Sequence, residues 1–134
     1  MSMRSRFAVT ADRDNRLLII RFHSLRDGQA PGPDLIDQLA TIDSPWLYDA
    51  LFDFRRYEAE LSRDYLKFLT DKWNTFTRGR DHGRCMALVG GDQVLSTNLR
   101  AAMTVMPDRN IAVFDTFDEG LDWVKAGRDA RQAA

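Results

Sequence analysis

WLYDALFDFRR, residues Trp46 to Arg56, decides the fold. Along it Trp46, Tyr48, Ala50, Phe52 and Phe54 alternate with Leu47, Asp49, Leu51, Asp53 and Arg55. The first set is apolar throughout; the second is partly apolar and ends in charge. A period of two, rich in aromatics on one side, specifies a strand covered on both faces for most of its length. Its charges, Asp53, Arg55 and Arg56, collect at the carboxyl end. That end is where open α/β sheets place their binding sites, so these three are candidate binding residues.

A helix signal follows from Ser62 to about Arg78. Tyr65, Leu69, Trp73 and Phe76 fall on one helical stripe, widened by Leu66 and Phe68, with Lys67, Asp71, Lys72 and Asn74 opposite. Upstream, Phe7, Val9 and Ala11 alternate, Asp12 to Asn15 turns the chain, and LLIIRF from Leu17 to Phe22 completes a hairpin. A short helix opens at Asp34, an N-cap, carries Leu35, Ile36, Leu39 and Ile42 inward, and stops at Ser44-Pro45. Downstream, CMALV from Cys85 to Val89 is a wholly apolar strand of the parallel type, stopped by Gly90-Gly91.

A third helix carries Leu95, Leu99, Ala102, Met103 and Met106 and ends before Pro107. Ile111 to Phe114 is the last strand. A final helix begins near Asp118, turns Phe117, Leu121 and Val124 inward, and ends near Gly127, leaving RDARQAA as a frayed tail. Each strand after the hairpin is followed by a helix. The expected architecture is therefore α/β: an open, mixed, mostly parallel five-stranded sheet with an N-terminal hairpin and about four helices.

The 134 residues, 44% hydrophobic, read as a single domain with its core at about residues 6–126. A formal net charge of -1 and a pI near 6.1 argue against nucleic acid as a partner. One cysteine, Cys85, leaves no intramolecular disulfide or cysteine-based metal cluster, which fits a reducing, cytoplasmic setting. The start lacks the apolar run of a signal peptide, and no segment has the roughly 20 apolar residues of a membrane helix.

Motifs for chemistry are sparse. Gly90-Gly91-Asp92 lies where a strand turns into a helix, so its amides are a candidate anion cradle; without GxGxxG or GxxxxGK[ST] around it, a plain tight turn is preferred. Asp53 suggests a phospho-acceptor of receiver type, but Gly90 and Asp115 stand where a receiver has a hydroxyl and a lysine, and that reading is rejected. His82 and Cys85 are close in sequence, yet Cys85 opens an apolar strand and reads as a small core residue. Arg78, Arg80, His82 and Arg84 form a basic loop, read first as a solvated loop balanced by Asp81 and second, with Arg55 and Arg56 near it, as a dock for an acidic partner or a phosphate-bearing ligand. No metal site and no cofactor are expected.

The hairpin, YDALFDFRR with its aromatic-rich helix, CMALVGG, and NIAVFDTFDEGLDWV together resemble the SpoIIAA-like proteins of the STAS superfamily, bacterial domains related to anti-sigma-factor antagonists and similar in fold to CRAL-TRIO lipid-binding domains. The resemblance covers nearly the whole chain. It implies a phosphorylated serine at the start of the helix after the third strand, a position that Ser62 occupies. The family's Asp-Ser-Ser/Thr-Gly is here Leu61-Ser62-Arg63-Asp64, and an ordinary N-cap is the preferred reading of Ser62. The resemblance implies a non-enzymatic protein-interaction or regulatory module that docks a protein partner around Ser62, Asp53, Arg55, Arg56, Gly90 and Gly91. The alternative is a domain binding a small apolar ligand or lipid; a homodimer through a helix face is a further partner expectation.

Overall fold

The computed structural model describes residues 5–24, 35–56, 63–90, 97, 100, 101 and 109–133. In chain order it has β1 (Ser5–Asp12), β2 (Leu17–Ser24), α1 (Leu35–Leu39), a 3-10 turn (Pro45–Leu47), β3 (Asp49–Arg56), α2 (Arg63–Thr77), β4 (Cys85–Val89), β5 (Asn110–Phe114) and α3 (Phe117–Ala133). Thr97, Arg100 and Ala101 are helical, and the rest of the helix expected between β4 and β5 lies outside the described residues.

All five strands form one sheet in the order β1-β2-β3-β4-β5. The β1–β2 pair is antiparallel, with Phe7 opposite Phe22, and every other pair is parallel. Asp12 sets the hairpin turn: its two carboxylate oxygens accept from the Asn15 backbone N–H at 3.2 Å and the Asn15 side-chain amide at 2.7 Å. β3 is the middle strand, as its two-sided apolar pattern requires, and only its last two residues are exposed.

The pleat sorts the core into two. Phe22, Phe52 and Phe54 point one way with Leu18, Ile20, Ala50, Met86 and Leu88, and are closed over by Leu35 and Leu39 of α1 and Leu66 and Trp73 of α2. Phe22 is the hub of the aromatic contacts, with ring centroids 4.5 Å from Phe7 and 4.4 Å from Phe54. On the other face Leu17, Leu51, Cys85, Ala87 and Val89 lie beneath Leu121, Trp123 and Val124 of α3. That helix sits close: a Cβ on Gly120 would stand 3.0 Å from Val89 Cγ2, and one on Gly127 would overlap Cys85 Sγ.

Four expectations are corrected. The strand begins at Asp49, not Trp46, because Ser44 takes a left-handed conformation (φ 50°) and Pro45 opens a tight turn that lays Trp46 edge-on against Phe76. The buried stripe of α2 runs through Leu66, Thr70, Trp73 and Thr77, which rotates Phe68 outward to 46% exposure. The tail after Gly127 is helical to Ala133; Gly127 is needed for approach to β4 and does not cap the helix. Asp81 does not balance a solvated loop but is buried at 2% exposure.

Candidate functional site

The carboxyl ends of β2 and β3 lie side by side, with Arg21 in register with Asp53, and Asp53 in turn opposite Val89 of β4. Asp53 and Arg55 are two residues apart on one strand and so share a face. Arg55 Nε donates to Asp53 Oδ1 and Nη2 to Oδ2, both at 2.9 Å, and the Arg55 backbone N–H adds a third bond to Oδ1 at 3.0 Å. Arg21 Nε stands 4.0 Å from Oδ2. The Arg55 and Arg21 guanidiniums lie 5.0 Å and 5.9 Å from the ring centroid of Phe117 at the start of α3. Phe117 follows the N-cap of its helix, Thr116, whose Oγ1 accepts from the Glu119 N–H and donates to Glu119 Oε1. Three elements thus hold one Arg–Asp–Arg cluster over an aromatic face.

Burial pushes the Asp53 carboxyl up, but the side-chain and backbone hydrogen bonds from Arg55, with the charges of Arg55 and Arg21, outweigh it and hold the group below the usual carboxylate range. A carboxyl with a lowered folded pKa contributes stability that is present in full above the unfolded value and lost as pH falls through the folded one. Asp53→Asn is therefore expected to cost about 1–2 kcal/mol at pH 7, reduced from a fully buried charged pair because Arg55 is 47% exposed. The gap between variant and native protein should narrow as pH drops below about 4, in thermal melts taken from pH 7 to pH 3.

The sequence-read site residues are only partly brought together. Asp53 and Arg55 are joined, and Arg56 is exposed beside them, in register with His23 of β2 beyond an irregularity in the ladder. Gly90 is buried, and its N–H donates to the Phe114 carbonyl at 3.3 Å, so that amide is spent on the sheet and not offered to an anion. Ser62 and Gly91 lie outside the described residues. Arg78, Arg80 and His82 of the basic loop are all exposed, and Arg80 donates to the Thr77 and Phe76 carbonyls at 2.8 Å each and closes the end of α2.

A second cluster, at the amino ends of the parallel strands, was not read from the sequence. Arg109 Nε donates to Asp81 Oδ2 at 2.6 Å, Nη2 to the Tyr48 carbonyl at 3.1 Å and Nη1 to the Cys85 carbonyl at 3.3 Å. Trp73 Nε1 donates to the same Asp81 oxygen at 2.9 Å, and the guanidinium carbon lies 4.9 Å from the Trp73 ring centroid. Asp49, 1% exposed, accepts from the Cys85 N–H at 2.8 Å and from Arg131 Nη2 at 2.5 Å. Burial pushes Asp81 up, and the Trp73 and Arg109 hydrogen bonds overcome it, keeping the carboxyl low. Burial and the Asp49 charge raise the Cys85 thiol, which keeps it protonated. Asp49, Asp81, Arg109 and Arg131 are each paired, while Arg84 Nε is buried beside them without a hydrogen-bond partner, and the cluster ties α2, β3, β4, the entry to β5 and α3 into one floor. Its signal in the sequence is a charge, Asp49, inside an otherwise buried run.

The face of the sheet covered by α1 and α2 also carries an open groove of about 570 Å³ between them, lined by Ile36, Asp37, Phe68, Asp71, Lys72, Thr75 and Phe76. No helix among the described residues is long and apolar enough to cross a membrane.

No family model and no curated protein matches the chain. Its coordinates are similar to the crystal structure of an uncharacterized protein of the DUF3478 family, with a SpoIIAA-like fold, from Shewanella loihica PV-4. The TM-score is 0.51 at 19% identity, over 92% of this chain and 98% of that one. The mixed sheet, the N-terminal hairpin and the helices on both faces agree, and this chain has the SpoIIAA-like fold.

Proposed function

We propose that the protein is a non-enzymatic interaction module that meets a protein partner at the carboxyl end of its sheet. The observation that carries this reading is the Asp53–Arg55 pair. Two parallel hydrogen bonds and a cation-π contact with Phe117 spend the carboxylate and fix the arginine, so the site is built to present and not to transfer. Arg55, at 47% exposure, offers its remaining N–H groups to a partner, and the exposed Arg56 stands next to it. Interfaces favour such arginines because little side-chain freedom is left to lose.

Affinity capture with the native protein and with Arg55→Glu/Arg56→Glu tests it. A partner retained by the native protein and lost by the charge-reversed variant is the expected result, read at a temperature well below the variant's own melting point, because the variant loses the Asp53 pair. Equal capture by both removes the carboxyl end from the interface.

A second reading rests on the α1–α2 groove. Its volume is within the range of small-ligand sites, and Ile36, Phe68 and Phe76 give it an apolar lining. Native mass spectrometry of the purified protein separates the two: a bound lipid or apolar molecule displaced by Phe68→Asp supports the groove, and a mass equal to the bare chain supports the module.

A further inference from the structure

We propose that the opposite, amino-terminal end of the sheet is a second docking surface, which takes a short acidic protein segment carrying an apolar residue. Leu47 is exposed there at 38%, at the tip of the 3-10 turn. On one side of it the Arg80 guanidinium lies 3.5 Å from the centroid of the Trp46 ring; on the other, the Arg16 guanidinium lies 5.5 Å from that of Tyr48. Arg13 is exposed in the same turn as Arg16, and Arg78 in the same loop as Arg80. The solvent-accessible acids at this end are Asp12, Asp14, Asp43 and Asp129; Asp12 is hydrogen-bonded to Asn15 and Asp129 is paired with Arg128. A chain of net charge -1 thus gathers a cationic rim around an apolar tip, over a floor of neutralised buried pairs.

The same end also carries left-handed backbone. Among the described residues, the non-glycine positions with positive φ are Arg16 (52°), Ser44 (50°) and Arg78 (50°), all at this end. Glycine or asparagine takes that conformation at lower cost, so two arginines of the rim are held where the backbone disfavours them. A short acidic peptide fits better than a nucleic acid. The patch is small, the chain around it is net acidic, and Leu47 with Trp46 offers contacts that a phosphate backbone does not use.

Fluorescence anisotropy with a labelled peptide of glutamate and leucine, EELEELEE, tests the proposal on the intact protein. Saturable binding at low salt is expected, weaker as salt rises. Arg16→Gly/Arg78→Gly and, separately, Arg13→Glu should each weaken it about tenfold. Glycine relieves the two left-handed positions, so the double variant should melt within about 3 °C of the native protein; if it does not fold, Arg13→Glu in the exposed turn decides. Arg55→Ala/Arg56→Ala should bind the peptide as the native protein does, which separates this surface from the carboxyl-end site. Absence of saturable binding overturns the proposal, as does equal binding of the glutamine analogue QQLQQLQQ, of a duplex DNA oligonucleotide or of phosphatidylserine vesicles. Full affinity in both amino-end variants, or loss in the carboxyl-end variant, overturns it too.

Discussion

Arg109→Met is expected to destabilise the protein by about 3–5 kcal/mol, lowering the melting temperature by roughly 10–20 °C. Methionine matches much of the length and none of the charge. It leaves Asp81 buried with Trp73 Nε1 as a remaining donor, and it strips the Tyr48 and Cys85 carbonyls of their guanidinium partner. The expense comes from the uncompensated carboxylate more than from the lost attraction, because desolvation already offsets much of a buried pair's Coulomb energy. Adding Asp81→Asn neutralises the stranded group while keeping an acceptor for Trp73, and should return about 1–2 kcal/mol. Urea unfolding of the two variants checks both figures. A loss below about 1 kcal/mol for Arg109→Met would mean that water or a rearranged side chain reaches Asp81.

Gly127→Ala is the second large effect, expected to cost about 1–3 kcal/mol although alanine is the better helix former. The added methyl group overlaps Cys85 Sγ, so α3 must move off β4, and the Arg131–Asp49 pair one turn further along must move with it. Cys85→Ala removes the obstacle. On the Cys85→Ala background the same Gly127→Ala change is expected to become neutral or mildly stabilising, a coupling of about 1–3 kcal/mol in a double-mutant cycle. Additive losses would show that the helix meets the strand elsewhere.

These two positions mark the limit of what the sequence displays. The fold was legible because periodicity reports burial: the two-residue alternation from Ala50 to Phe54 and the apolar run from Cys85 to Val89 put strands where they are found. Trp46 and Tyr48 continued that alternation for another reason, since Trp46 packs on Phe76 from a 3-10 turn and mimics one more strand residue. The basic tail was misread because Gly127 is also a common helix terminator; the stripe Gly120, Val124, Gly127, Arg131 continues with helical spacing and would have extended α3.

Half of the candidate site was legible for the same physical reason. Asp53 and Arg55 are neighbours on one strand face, so local geometry alone joins them. Arg21 and Phe117 come from other elements and meet the pair only through sheet order and helix docking. The amino-end floor was illegible outright, because Asp49, Asp81, Arg109 and Arg131 are far apart in sequence and no local pattern connects them. The charge at Asp49, at the buried start of β3, was the one available warning.

β3 is sealed between helical layers, with only its charged tip exposed. Amide hydrogen exchange of the native protein, read by peptide-level mass spectrometry, tests this most directly. The account predicts that Ala50 to Phe54 and Met86 to Val89 are the slowest amides, exchanging only through global unfolding, while the β1 edge exchanges faster. Exchange across Ala50 to Phe54 as fast as that of β1 would contradict it.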